Sequence, residues 1–97
     1  MNVYLTYDIS CRQDEFKAEM IKNGYFDVWY SSNTKFILPD SSLWKKDSEL
    51  NNCLEEVKRT INYLNTKSDS DPIRLLRCII TPVSPWLGIQ GEERTKK

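Results

Sequence analysis

Asp8 is the carboxylate whose position in the sequence points most directly to chemistry. It ends a segment of alternating β-forming residues, residues 2–8, and a predicted helix follows it. A hard cation such as Mg²⁺ or Mn²⁺ needs only one or two carboxylates in addition to water and phosphate oxygens. Asp8 is therefore our candidate metal ligand and catalytic residue. The commoner use of an aspartate at such a position is structural, because its carboxylate stabilises the turn and the helix N-terminus.

Three of the arginines are candidate contacts to phosphate groups. Arg12 follows Asp8 closely and lies near the N-terminus of the first predicted helix, where free backbone N–H groups favour an anion. Arg74 and Arg77 lie in the last predicted strand. We take Arg12 and Arg77 as the candidate nucleic-acid-binding residues. The alternative, more common for surface arginines, is that they only keep the protein soluble.

The composition narrows the possible chemistry. The chain has 97 residues, enough for one domain with one modest core. Its 14 basic residues balance 14 acidic residues, which argues against a general polyanion binder. Histidine is absent, so no imidazole can act as a general base. The three cysteines are widely spaced, which disfavours a zinc site and structural disulfides and favours a reducing cytoplasm.

Nothing in the sequence predicts a membrane segment. The first residues lack the basic region and the long apolar core of a signal peptide. No apolar run approaches the roughly 20 residues that are needed to span a bilayer. We therefore expect a cytoplasmic protein without membrane contacts.

Hydrophobic periodicity and turn residues predict the order strand, helix, strand, strand, helix, strand. The strands are predicted at residues 2–8, 25–30, 34–38 and 73–81, and the first helix at about residues 11–23. The second helix has the clearest pattern, an apolar stripe with alternating steps of four and three residues: Leu50, Leu54, Val57, Ile61 and Leu64.

Side-chain caps are predicted where both helices begin. Ser10 and Gln13 have the spacing of a capping box, in which each side chain satisfies a free backbone N–H group. Asp47 or Ser48 is the predicted cap of the second helix. Residues 39–47, polar except for the pair Leu43-Trp44, are predicted to form a loop.

This order of elements predicts an α+β fold, a ferredoxin-like βαββαβ sandwich. Two right-handed crossovers would pack both helices on one face of a four-stranded antiparallel sheet. The domain covers residues 1–81. Residues 82–97 form a C-terminal extension, predicted to add a strand across a dimer and then to end as a frayed tail. An irregular α+β domain with the same elements is the alternative architecture.

Strand alternation predicts which residues lie on the face of the sheet that the helices leave open. Asp8 is predicted to lie on that open face, whereas Phe26 and Tyr30 are predicted to point toward the helices and the core. Half of the open face is apolar: Tyr4, Tyr25, Trp29, Ile37, Leu75 and Ile79. Exposed apolar patches usually mark a site for a partner or ligand. Homodimerisation through the sheet is the favoured interpretation. Stacking of nucleic-acid bases is the other, although the strand at residues 34–38 lacks the glycine and outward aromatics of RNA-recognition modules.

Trp44 and Trp86 are two aromatic residues that the sequence places outside the predicted strands and helices. Either side chain is a candidate anchor for a partner protein, because tryptophan is enriched among residues that dominate binding energy. Packing against an edge of the small core is an equally good interpretation for each. Trp86 is included with Tyr4, Trp29, Ile37, Leu75 and Ile79 in the predicted dimer or partner surface.

The start of the chain carries a family resemblance. Residues 4–10 form a strand that ends in Tyr-Asp-Ile before a capped helix, and this arrangement resembles the start of the small CRISPR-associated adaptation proteins, which are ferredoxin-like homodimers. It is also similar to the SinR-like and VapD-like proteins and the GhoS endoribonuclease antitoxins. The resemblance implies that Asp8 is a metal ligand. It also implies that a segment after the last strand, here residues 86–90, pairs with the sheet of a partner subunit.

Two functional hypotheses follow. The first is a homodimer of nucleic-acid metabolism or of a toxin–antitoxin system, acting as a metal-dependent endoribonuclease. In this hypothesis Asp8 of each subunit holds Mg²⁺ or Mn²⁺, and Arg12 steadies the phosphate of RNA or DNA. The second is a non-enzymatic dimeric module that binds another protein, which zero net charge and the absence of histidine favour.

Overall fold

The computed structural model describes residues 1–83 and shows an α+β fold with two helices and antiparallel sheets. Residues 84–97, including Trp86 and most of the predicted C-terminal extension, lie outside the described residues. In chain order the elements are β1 (Val3–Ile9), α1 (Gln13–Lys22), β2 (Val28–Ser31), β3 (Thr34–Ile37), β4 (Ser42–Lys45), α2 (Leu50–Lys67) and β5 (Leu75–Pro82).

The described strands form two sheets, and the predicted single sheet of four strands is not observed. One sheet has three strands in the order β4-β1-β5, and the other is the hairpin of β2 and β3. The predicted third strand, residues 34–38, corresponds to β3, which within residues 1–83 pairs with β2 and with no other strand. The strand that lies beside β1 is instead β4, within residues predicted to be a loop.

Leu43 explains why β4 forms. Its side chain is fully buried and lies across from Leu5 of β1. Trp44 and Ser42 are also buried, although their side chains point to the opposite face of the strand. Four residues with two apolar side chains, surrounded by polar residues, give too short a pattern to predict a strand.

The hairpin meets the larger sheet at Phe26. The backbone N–H of Phe26 donates to the Trp44 carbonyl at 2.8 Å, and the N–H of Trp44 donates to the Phe26 carbonyl at 3.0 Å. This isolated antiparallel bridge lies on the side of β4 that faces away from β1. The chain therefore enters the hairpin from the edge of the three-stranded sheet.

The core lies between the three-stranded sheet and the two helices. Every second residue of β1 is buried, as the alternation of the sequence predicts. In the predicted stripe of α2, Val57, Ile61 and Leu64 are buried, and Leu50 packs against the core from the first turn. Burying each such aliphatic side chain stabilises the fold by about 1.5–3 kcal/mol. Leu54 is only half-buried, and Cys53 is the buried residue beside it.

The predicted helix caps are wrong. The N-cap residue of α1 is Arg12 and that of α2 is Glu49, and neither makes a side-chain capping hydrogen bond. Ser10 has another role, because its hydroxyl accepts the N–H of Arg74 at 2.8 Å and its own N–H donates to the Arg74 carbonyl at 3.0 Å. These bonds hold the end of β1 against the residue that precedes β5.

Within residues 1–83, neither helix has the combination of length and apolar character that a membrane-spanning helix requires.

Candidate functional site: the open face of the sheet

The open face is the face of the three-stranded sheet that is turned away from α1 and α2. Side chains alternate along β1, so Tyr4, Thr6 and Asp8 lie on the open face. Residues that pair directly across antiparallel strands share a face. The strand pairing therefore places three rows of side chains there: Trp44, Tyr4 and Thr81; Ser42, Thr6 and Ile79; Asp8 and Arg77.

Asp8 and Arg77 form an ion pair at one end of the open face. The Nε of Arg77 donates to Oδ2 of Asp8 at 3.1 Å, and the Nη2 of Arg77 donates to the same oxygen. The side chains are 47% and 78% exposed, respectively. A pair this exposed stabilises a fold by about 0–1 kcal/mol. The clearest effect of the pair is that each side chain neutralises the charge of the other on this face.

The structure brings together two of the predicted site residues, Asp8 and Arg77. Among residues 1–83, no three or more histidine, cysteine or acidic side chains come close enough together to hold a metal ion. Asp8 supplies one carboxylate, so a hard cation there would need further ligands from phosphate, water or a second subunit. Metal binding at Asp8 stays a prediction.

Arg12 is placed differently from its predicted role, because its side chain is only 9% exposed and lies between segments of this chain. It joins the start of α1 to the end of α2 and to the loop before β5. A guanidinium has five N–H donors. All five donate hydrogen bonds within the chain, to these acceptors: Glu15 Oε1 at 3.1 Å and Oε2 at 2.8 Å, Asn65 Oδ1 at 3.5 Å, the Asp71 carbonyl at 3.3 Å and the Leu64 carbonyl at 3.2 Å.

These bonds have an electrostatic consequence and a conformational one. The hydrogen bonds between Arg12 and Glu15 raise the pKa of the arginine and lower the pKa of the glutamate. The backbone of Arg12 has φ of 59°, a left-handed conformation that costs a non-glycine residue about 1–3 kcal/mol. A phosphate could take these donors only by replacing bonds that hold this strained residue in place. Phosphate binding by Arg12 stays a prediction.

An aromatic cluster of Phe26, Trp29 and Trp44 covers the other end of the open face. The ring centroid of Trp44 lies 5.0 Å from that of Phe26 and 4.2 Å from that of Trp29. The indole Nε1 of Trp44 donates to the Val28 carbonyl at 2.6 Å. Trp44 is only 8% exposed, because Phe26 and Trp29 cover it on the open face.

The open face is less apolar than the sequence predicts. Tyr25, expected there, is only 1% exposed and lies in the core. Leu75 also packs against the core, because a register shift pairs Ile9 with Leu75 and leaves Leu76 unmatched. Ile79 keeps its predicted place and is 66% exposed.

The remaining predicted surface residues are partly covered. The hydroxyl of Tyr4 donates to the Ser42 hydroxyl at 2.8 Å. Ile37 belongs to the hairpin, where it lies across from Val28, and not to the three-stranded sheet. Trp29 rests on the indole of Trp44.

The inverted position of Tyr25 has a simple cause. Phe26 bridges to Trp44, whose side chain lies on the open face, so Phe26 shares that face and Tyr25 points the other way. A shift of one residue in a strand exchanges its two faces. The sequence assigned Phe26 and Tyr30 to the core, and they are instead 39% and 66% exposed.

Tyr25 belongs to a polar network that the sequence does not reveal. Its hydroxyl donates to Oε1 of Glu56 at 2.8 Å, and Nζ of Lys45 donates to Oε2 of Glu56 at the same distance. Nζ of Lys45 also lies 5.0 Å from the centre of the Tyr25 ring. Burial, followed by the hydrogen bonds, raises the pKa of Tyr25 far above its ordinary value.

Glu56 also borders a groove between α1 and α2. The groove has a volume of about 330 Å³ and mixes charged, polar and aromatic side chains: Glu19, Asn23, Glu56, Arg59, Thr60 and Tyr63. These residues are spread over two helices, so no local motif in the sequence marks them as neighbours.

Comparisons of the chain with protein-family models, with curated proteins and with solved structures find no match.

Proposed function

We propose that this chain is a homodimeric protein-interaction module without catalytic chemistry, and that β5 supplies its contact surface. The observation that carries the proposal is the exposure of Leu76 and Ile79, at 45% and 66%, on an outer strand of the three-stranded sheet. Within residues 1–83, no strand pairs with the side of β5 that faces away from β1. Burying an isoleucine side chain contributes about 1.5–3 kcal/mol, and a two-fold axis would bury it in both copies.

In the proposed dimer, identical copies would meet at the exposed residues of β5. Arg77 lies between Leu76 and Ile79, and its charge is balanced by Asp8 within the same chain. Two identical surfaces carry the same net charge, so a neutral surface avoids charge repulsion between the two copies. A reducing compartment suits such a dimer, because Cys11, Cys53 and Cys78 are free thiols.

Light scattering coupled to gel filtration tests the proposal. We expect the full chain to have the mass of a dimer and Ile79→Lys to have the mass of a monomer. Ile21→Lys is the matched control, because Ile21 is 41% exposed but lies on α1, away from β5, and this variant should stay dimeric. A wild-type chain that is monomeric at submillimolar concentration would refute the proposal.

A second proposed function is metal-dependent hydrolysis of phosphodiester bonds in RNA or DNA, in nucleic-acid metabolism or a toxin–antitoxin system. It is favoured by the position of Asp8 near the end of β1, on the open face and beside Arg77. Asp8 and the arginine donors would face the same phosphate. The assay is cleavage of RNA and DNA with Mg²⁺ or Mn²⁺. Cleavage that Asp8→Asn abolishes and the control Asp14→Asn preserves supports this function, and cleavage unchanged by Asp8→Asn refutes it.

We further propose that the fold is a variant of the ferredoxin-like βαββαβ sandwich. The bridge between Phe26 and Trp44 supports this, since it would put the chain at residue 26 beside β4 and extend the order to a fourth position. In such a variant the hairpin of β2 and β3 is an arm that replaces most of the second strand.

A further inference from the structure

The backbone groups on the outer side of β5 can be identified from the pairing with β1. In an antiparallel pair, successive residues point their N–H and C=O groups alternately toward and away from the partner strand. Val83 donates its N–H to the Asn2 carbonyl at 3.0 Å, which sets the phase of this alternation. Ile79 and Thr81 therefore point their backbone groups at β1, and Cys78 and Ile80 point theirs outward.

The outer side of β5 is a strand edge with which another strand could pair. Pro82, which has no N–H group, also faces outward, so the outer side of β5 lacks one donor at its C-terminal end and keeps those of Cys78 and Ile80. Within residues 1–83, the backbone N–H groups of Cys78 and Ile80 donate no hydrogen bond to the backbone of a loop or helix. An unpaired row of backbone donors and acceptors is a template for another strand.

We infer that two copies of this chain pair along β5, strand against strand and antiparallel, to make one continuous six-stranded sheet. The inference rests on the proposed homodimer and adds how its subunits meet. An antiparallel pair of identical strands about a two-fold axis is self-complementary, because each outward donor in one copy meets an outward acceptor in the other. Ile79 of each copy would then lie near the two-fold axis and be shielded from water.

The ion pair of Asp8 and Arg77 removes the charge repulsion that two copies of this edge would otherwise have. Charged side chains on an outer strand normally prevent edge-to-edge association. Here Arg77 is the one charged residue of β5, and Asp8 of the same chain neutralises it. The two copies therefore bring no net charge to the contact, so the charge repulsion that ordinarily keeps identical edges apart is absent.

Amide hydrogen exchange, followed residue by residue by NMR on the full chain, tests the pairing. We expect the Cys78 and Ile80 amides to exchange at least tenfold more slowly at dimeric than at monomeric concentration. The Ile79 and Thr81 amides, which already face β1, should change much less and serve as the internal control.

The other outcomes of this experiment would refute either the pairing along β5 or the proposed dimer. If the chain is dimeric and the Cys78 and Ile80 amides stay unprotected, the copies meet elsewhere, and the pairing is wrong while the proposed function stands. If both amides are equally protected at concentrations where light scattering shows a monomer, another part of the same chain covers the edge, and the pairing is again wrong. If the chain is monomeric throughout, the proposed function itself fails.

Charge substitutions test the neutral contact separately, through the dissociation constant of the dimer. Asp8→Asn leaves Arg77 unbalanced in both copies, and Arg77→Gln leaves Asp8 unbalanced. We expect each single variant to weaken the dimer by about twofold to fivefold at low salt, and the double variant to recover the wild-type constant. A double variant weaker than both single variants would contradict the role of neutrality.

Discussion

The two faces of β1 are stabilised in different ways. On the helix side, every second residue of Val3–Ile9 is buried, and the partners are the apolar stripes of α1 and α2. On the open side, Trp44 and the hairpin cover one end, and the pair of Asp8 and Arg77 occupies the other. Repeated apolar burial stabilises the first face, whereas a few contacts between distant segments organise the second.

This difference indicates that the two faces of β1 contribute differently to stability and to interactions. The helix side supplies the free energy of folding, because burial of apolar surface is the dominant favourable contribution. The open side contributes less to stability and leaves Ile79 and the outer edge of β5 exposed. Substitutions on the two sides should therefore have effects of different size and kind.

The largest effect is expected for Phe16→Ala on the helix side. Phe16 is fully buried, with its ring centroid 4.8 Å from that of Tyr7. The cavity should lower the free energy of unfolding by about 3–5 kcal/mol in urea denaturation. Ile21→Ala on the exposed side of the same helix is the control, with an expected loss below about 1 kcal/mol. Equal losses in the two variants would show that apolar burial on the helix side is not the main source of stability.

Trp44→Phe should have a smaller and more local effect. The variant loses the hydrogen bond from Nε1 to the Val28 carbonyl and part of the stacking with Phe26 and Trp29. We expect a loss of about 1–3 kcal/mol together with faster amide exchange in β2 and β3. Exchange in the middle of β1, at Leu5, should change least, and a uniform increase along the chain would show that the hairpin is not a separate unit.

Tyr25→Phe should change how stability depends on alkaline pH. The pKa of Tyr25 is raised in the folded state, so its proton is held more tightly there than in the unfolded chain. Its contribution is therefore complete below the unfolded pKa of about 10 and is lost as the pH rises above that value. We expect the free energy of unfolding to decline less steeply above about pH 10 in Tyr25→Phe than in wild type.

The control for this prediction is Tyr30→Phe. Tyr30 is 66% exposed, so its substitution should preserve the wild-type alkaline decline. Chemical denaturation at a series of pH values from neutral to about 11 gives both curves. If Tyr25→Phe and wild type decline in parallel, the buried hydroxyl does not contribute to alkaline unfolding.

The smallest effect on stability is expected for Asp8→Asn on the open side. Asp8 is half exposed and pairs with the exposed side chain of Arg77. The free energy of unfolding should change by no more than about 0.5–1 kcal/mol, because exposed ion pairs contribute little. Thermal denaturation measures this change. A loss as large as that of Phe16→Ala would mean that Asp8 is a structural residue and not part of an interaction surface.

Some parts of the fold could be predicted because their signal is local. The stripe of α2 and the alternation of β1 repeat often enough for periodicity to identify the element and its buried face. β4 could not be predicted in this way. It has four residues, and Ser42 to Lys45 become a strand through pairing with β1, which lies about 40 positions earlier in the chain.

The residues of the candidate site show the same contrast between features that local patterns predict and features that depend on distant contacts. Asp8 was predicted on the open face from alternation alone, and the structure places it there beside Arg77. The partners of Arg12 could not be predicted, because they include the end of α2 and the Asp71 carbonyl, more than 50 positions away. A capping box at Ser10 was the best local interpretation, and the N–H of Arg74 takes that hydroxyl instead.

By itself, the sequence determined the α+β class, both helices, the buried face of β1 and the position of Asp8, since each depends on patterns within a few neighbouring residues. Only the tertiary structure decided that β4 lies beside β1, that Tyr25 points inward, that Arg12 is enclosed and that β5 is an outer strand of the described sheet. These outcomes depend on competition among distant segments for the same partners. Periodicity shows whether a residue suits a buried or an exposed face. Only the pairing of distant strands decides on which face of the sheet its side chain lies.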